Sequence, residues 1–209
     1  MQPKLERLKQ YWQELQQTNA LYLSDSLLQK LITAYQEPQR YYHTLQHIEE
    51  CLDLYQPLKM CVNDPLAVEL AIWFHDVVYE PKSDQNELKS AELMKQSLAP
   101  YMTIDQISKI YSWILATQTH ELSEDDDLDL KTLLDIDLAI LGSKPSRFAE
   151  YEQQIQQEYA WLSEGIYHEK RKKVLSHFYQ AHPLFKTEYF QDKLENQAKI
   201  NLEKVLKAN

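Results

Sequence analysis

Glycine occurs only twice in the 209 residues, at Gly142 and Gly165, and that scarcity limits the available folds more than any other feature of the chain. At the usual ~7% of residues, about 15 glycines would be expected. Nucleotide-binding sheets, phosphate-cradling loops and hairpin-rich sandwiches need glycine wherever the backbone takes positive φ or closely approaches a ligand. Two glycines cannot supply those turns. Glutamine is over-used instead, with 21 copies, and Gln, Leu, Lys and Glu are all good helix formers. The expectation is an all-α protein.

Hydrophobic periodicity agrees almost end to end. Helices are expected over 3–18 (Leu5, Leu8, Trp12, Leu15), 25–36 (Leu28, Leu31, Ile32, Tyr35) and about 42–56 (Leu45, Ile48, Leu52, Tyr55). Asp64-Pro65 reads as an N-cap with proline at the first helical position, opening a helix that runs through Tyr79 until Glu80-Pro81 closes it. Asp84 with Glu87 and Thr103 with Gln106 fit the capping box. The acidic run 121–129 reads as a solvated loop. A further helix stops at Gly142, which fits a left-handed C′ position, and three more follow at about 146–162, 167–181 and 187–207. Gly165 falls in the turn between the second- and third-last helices. With no repeat, linker or composition break, residues 1–209 read as a single domain of about 9–10 helices.

Lys plus Arg total 22 against 32 Asp plus Glu, a net charge of −10. Such a surface is unsuited to polymeric nucleic acid, which requires a basic footprint. A small anionic substrate remains open, because a metal ion can reverse the field within one cleft. No apolar run approaches the ~20 residues that span a bilayer, and the amphipathic start MQPKLERLKQYW lacks the apolar stretch of a secretory signal. The expectation is a cytoplasmic protein without membrane contact, in which Cys51 and Cys61 are reduced core thiols.

Some polar residues fall where solvent should not be. In AIWFHDVVY (71–79), His75 has Ala71, Ile72, Val78 and Tyr79 at helical neighbour spacing. A neighbouring Asp76 is costly to bury uncompensated, and a cation is an economical partner. In LLDIDLAIL, Asp135 and Asp137 lie about 200° apart on a helix. Asp137 is flanked by Leu133, Leu134, Ile140 and Leu141 and reads as the inward carboxylate. Asp135 reads as partly solvated. In RYYHTLQH (40–47), His43 and His47 are i, i+4 neighbours on one helix face. Imidazole and carboxylate from three helices make a donor set suited to a borderline or hard divalent metal.

The pattern His47, His75-Asp76, Asp137 resembles that of the HD-domain superfamily of metal-dependent phosphohydrolases. The flanking runs carry the resemblance further: Arg40, Tyr42, His43, His47 and Ile48; Phe74 to Tyr79; Asn86, Glu87, Ser90 and Ala91; and Asp135 to Gly142. They are similar to the bacterial group of predicted metal-dependent HD phosphohydrolases, with weaker similarity over roughly residues 3–205. The resemblance implies an HD-type helical bundle in which His47, His75, Asp76 and Asp137 ligate a divalent ion (Mn, Mg, Co, Ni, Fe or Zn). It implies hydrolysis of a small phosphate mono- or diester, often a nucleotide, by metal-activated water.

Arg40, His43, Glu87 and His120, with Asn86, are further candidates near that site. Arg40 suits phosphate contact through its planar fork, and His43, Glu87 or His120 suits proton transfer or water orientation. His120 departs from the group's pattern, where two adjacent histidines are common, because Thr119 stands beside it. The basic run Lys170 to Lys173 reads as a solvated face. The implied partners are a small phosphorylated substrate and, as oligomer, a homodimer. Two alternatives stand beside this reading. One is a dinuclear-iron HD-type oxygenase, for which His43 and His120 would have to join the ligands. The other is a non-catalytic metal-containing nucleotide sensor.

Overall fold

The computed structural model describes residues 2–123 and 127–208. Every regular element among them is helical: α1 (Gln2–Asn19), α2 (Asp25–Ala34), α3 (Leu45–Tyr55), α4 (Pro65–Phe74), α5 (Asn86–Leu98), α6 (Ile104–Ala116), α7 (Leu128–Leu138), α8 (Pro145–Glu158), α9 (Glu164–Gln180), the single turn α10 (Glu188–Phe190) and α11 (Asn196–Ala208). A 3-10 turn, Ala139–Gly142, extends α7, and a π segment, Gln191–Glu195, joins α10 to α11. The all-α expectation holds. No described helix is long and apolar enough to cross a membrane.

The chain forms two compact units, Met1–Leu133 and Leu134–Asn209, and the division falls inside α7. In the first unit α4 is the central element. All of Ala67 to Phe74 is buried, as expected for a helix apolar on nearly every side, with Glu69 the exception, paired with Lys59. Asp64 caps it through the Ala67 amide, with Pro65 in the first turn. Helices α1, α3, α5 and α6 pack on it, and Trp12 of α1 meets Trp73 edge-to-face at 5.2 Å, a favoured aromatic arrangement. The capping box predicted at Thr103 and Gln106 opens α6. At α5 the cap position is instead Gln85, without a side-chain cap bond, so the Asp84–Glu87 box does not form.

In the second unit α11 packs against α9 and against the 3-10 turn 139–142. Gly142 departs from its expected role, because no glycine has positive φ. A Cβ built on Gly142 would lie 2.6 Å from Leu194 Cβ and 2.8 Å from the Leu194 carbonyl oxygen. Its glycine is required by close approach of two backbones. The left-handed positions are taken by Ala20 and His120. Gly165 stands within the first turn of α9, with open space around it.

Two other expectations are corrected. Cys61 is exposed, and only Cys51 is a core thiol; both are free. The acidic run is not uniformly solvated: residues 124–126 lie outside those described, but Asp129 is fully buried. Its carboxylate accepts from the Asn63 and Asp64 amides, each at 2.7 Å, and so holds the entrance to α4.

Candidate metal centre

Helix α4 ends at Phe74, five residues before the predicted stop at Tyr79. The His75 amide still bonds to the Ala71 carbonyl at 2.9 Å, but the Val77 amide turns back to Phe74. The reason lies in the next five residues. Each carbonyl from Asp76 to Glu80 accepts from a side chain: Asp76 and Val77 from Arg40, at 2.8 and 2.9 Å, Val78 from Ser90, Tyr79 from Gln39 and Glu80 from Asn86. Ser90 and Asn86 also accept from the Val78 and Glu80 amides. These bonds replace those that a continuing helix would make. Asn86 and Ser90 therefore pin the segment behind His75-Asp76, and nothing in the spacing of Ser90 announced that role.

His47 comes from α3 and His75 from the end of α4, and both are 2% exposed. Their Nε2 atoms lie 3.0 Å apart. Asp76 Oδ2 lies 3.1 Å from His75 Nε2 and 3.5 Å from His47 Nε2. His75 Nδ1 is 2.9 Å from the Ile72 carbonyl oxygen. A carbonyl only accepts, so in the neutral ring the proton sits on Nδ1 and the Nε2 lone pair faces the Asp76 carboxylate. Two lone-pair groups at that distance require a proton or a cation between them. Adjacent ligands of an octahedral ion, each about 2.1 Å from it, stand about 3 Å apart, so these separations fit a metal. Cys51 Sγ lies 3.6 Å from Nδ1 and 3.8 Å from Nε2 of His47.

Asp137 stands in the last turn of α7. His47, His75, Asp76 and Asp137 each offer a ligand atom within 4.8 Å of the others. Two imidazoles and two carboxylates form a donor set suited to a borderline or hard divalent ion. This buried His/Asp group can hold a metal ion.

The neighbouring Asp135 is not solvated as expected. It is fully buried, and its carboxylate accepts from the Lys186 and Thr187 amides and the Thr187 hydroxyl, all at 2.7 Å. Burial pushes its carboxyl up to about 6, against the opposing pull of those bonds. Helix α7 is covered on both faces, so an apolar stripe does not distinguish its two carboxylates. Asp135 serves the 186–187 segment.

The other candidates separate. His43 precedes α3, whose N-cap is Thr44, so it shares no helix face with His47. Its ring stacks on Tyr79 at 4.2 Å and lies 6.1 Å from the His47 ring. Arg40 is not available to a phosphate. Its side chain has no exposure, and its donors go to the Glu37 carboxylate and the carbonyls of His43, Asp76 and Val77. Glu87 is in the first turn of α5, and His120 occupies a left-handed position after α6. Neither these two nor His43 belongs to the four-residue group, so the further ligands needed for a dinuclear-iron site are not among it. In the basic run, Arg171 turns inward, pairs with Glu152 and covers the Tyr151 ring at 5.0 Å.

Comparison with protein-family models, with curated proteins and with solved structures finds no match.

Proposed function

We propose that the protein is a metal-dependent phosphohydrolase acting on a small phosphate mono- or diester, with nucleotides as the first substrate class to test. The observation that supports this reading best is the orientation of His75. Its proton is committed to Ile72, and its Nε2 lone pair converges with His47 Nε2 and Asp76 Oδ2 within 3.0–3.5 Å. The resemblance of the surrounding sequence to HD-type phosphohydrolases points the same way.

In this reading His47, His75, Asp76 and Asp137 hold a divalent ion. When bound, such an ion supplies a Lewis acid for a phosphoryl oxygen and lowers the pKa of water toward neutrality. The chain supplies the rest. His75 keeps a fixed tautomer through the Ile72 carbonyl, as ligating histidines commonly do through their second nitrogen. His43, held by its stack on Tyr79 with its ring 6.1 Å from that of His47, is the candidate for carrying a proton to the leaving oxygen. Arg40 takes no part in substrate contact. No serine, cysteine or threonine nucleophile is required.

The test is phosphate release from a panel of nucleotides and phosphodiesters by metal-free protein supplemented with Mn, Mg, Co, Ni or Fe. Release is expected with at least one metal and is expected to be lost in His75→Ala and Asp137→Ala. Activity that survives both substitutions overturns the site. Tight nucleotide binding without phosphate release by any metal form favours the sensor alternative.

A further inference from the structure

We infer that Arg40 is a positioning residue for the metal centre, joining the segment that leads into the His47 helix to the segment that carries Asp76. The inference rests on the metal-site reading above and adds a residue to it that touches neither metal nor substrate.

The geometry carries it. A guanidinium has five N–H donors in a fixed plane. In Arg40, Nε donates to Glu37 Oε2 at 3.1 Å, and Nη1 donates to the His43 carbonyl at 3.0 Å and the Asp76 carbonyl at 2.8 Å. Nη2 donates to the Val77 carbonyl at 2.9 Å. One nitrogen, Nη1, thus bridges the main chain of His43, beside the Thr44 cap of α3, and that of Asp76, a candidate ligand. The rings of Tyr35 and Tyr79 lie 5.1 and 5.4 Å from the guanidinium carbon. Tyr79 also stacks on His43, so the same wall orients both the cation and the histidine.

Burying a guanidinium is costly unless every face is compensated. Here the compensation comes from ligand-bearing backbone, with one carboxylate that is itself 43% exposed. Lysine cannot replace it: one ammonium on a flexible stem cannot meet acceptors spread around a planar fork. Loss of the fork leaves the Asp76 and His43 segments without a common donor, so His47 and Asp76 lose their fixed separation.

The probe is Co2+ titrated into metal-free full-length protein, read by affinity and visible absorption, with thermal midpoints recorded alongside. Arg40→Lys is expected to bind Co2+ about 10–100-fold more weakly, the range typical of residues that orient ligands, with an altered absorption band. Glu37→Ala, which removes only the half-exposed anchor, is expected to weaken binding by a smaller factor with the band shifted in the same sense. Thr103→Ala removes a distant cap and is expected to lower the melting temperature while leaving Co2+ affinity and spectrum unchanged.

Wild-type affinity and spectrum in Arg40→Lys overturn the inference while leaving the site intact. If that variant does not fold, wild-type values in Glu37→Ala overturn it. A wild-type protein that takes up no Co2+ overturns the site reading, and the inference with it.

Discussion

His75 Nδ1 lies 2.9 Å from the carbonyl oxygen of Ile72, three residues back in the last turn of α4. This bond sets the ring's tautomer before any ligand arrives and turns the Nε2 lone pair toward His47 and Asp76. The Cys51 sulfur lies 3.6 Å from Nδ1 and 3.8 Å from Nε2 of His47, nearly equidistant from the two ring nitrogens, and a thiol is a weak partner for either.

The first prediction separates the candidate ligands from the thiol beside one of them. His75→Ala and Asp76→Asn are each expected to lower Mn2+ affinity by more than the roughly 100-fold upper range for supporting residues. Cys51→Ala should cost about tenfold or less. Titration of metal-free protein with Mn2+, followed by electron paramagnetic resonance, measures all three. Equal losses in Cys51→Ala and His75→Ala would contradict the assignment of roles.

Asp135 and Asp137 should divide stability from metal binding. Asp135→Ala leaves the Lys186 and Thr187 amides and the Thr187 hydroxyl without their acceptor, and is expected to cost about 2–4 kcal/mol. Its folded fraction should still take up metal. Asp137→Ala should show the opposite pattern, with metal content falling more than the melting temperature of the metal-free form. Denaturant melts paired with metal analysis separate the two.

The two glycines should respond with opposite signs. Gly142→Ala forces a Cβ to within 2.6 Å of Leu194 Cβ, an overpacking expected to destabilise by about 1–3 kcal/mol. Gly165→Ala introduces a methyl into open space in the first turn of α9, where alanine's better helix propensity is expected to stabilise by up to about 1 kcal/mol. Thermal denaturation of the two variants reads both signs.

Glu69 should leave a mark on the pH dependence of stability. Burial raises its carboxyl above the ordinary 4.5, although Lys59 pulls in the other direction. Lys59 lies 2.8 Å from Oε2, and Oε1 has no hydrogen-bond partner among the described residues. The folded state therefore holds the Glu69 proton to higher pH than the unfolded chain. Its contribution is fully present below about 4.5 and is lost as pH rises through the folded value. The melting temperature of wild type minus that of Glu69→Gln should thus be largest near pH 4 and should fall toward pH 7. A difference that instead grows with pH would show that the Lys59 pair dominates.

Much of this protein is local in origin and was legible as sequence. Asp64-Pro65 and Thr103 with Gln106 mark helix starts through contacts between near neighbours, and scarce glycine with frequent Gln, Leu and Glu excludes sheet-based alternatives. His75 and Asp76 stand out because polar groups on an apolar face need a partner. His47 stands out as the spacing partner of His43, a pairing that the start of α3 at Leu45 does not allow, and the structure brings His47, His75 and Asp76 together.

What the sequence by itself determined was the helical class, most helix positions and the polar residues out of place in apolar surroundings. These depend on propensity and on periods of a few residues. Only the tertiary structure decided where α4 stops, which task each carboxylate of α7 serves, why Gly142 is glycine and what Arg40 does. Those outcomes depend on groups far along the chain: Arg40 meets the Asp76 carbonyl 36 residues away, and Asp135 meets Thr187 across 52. A helical wheel separates covered from uncovered faces. It cannot say which donor covers them, and in α7 and after α4 the donor sets the role of the residue.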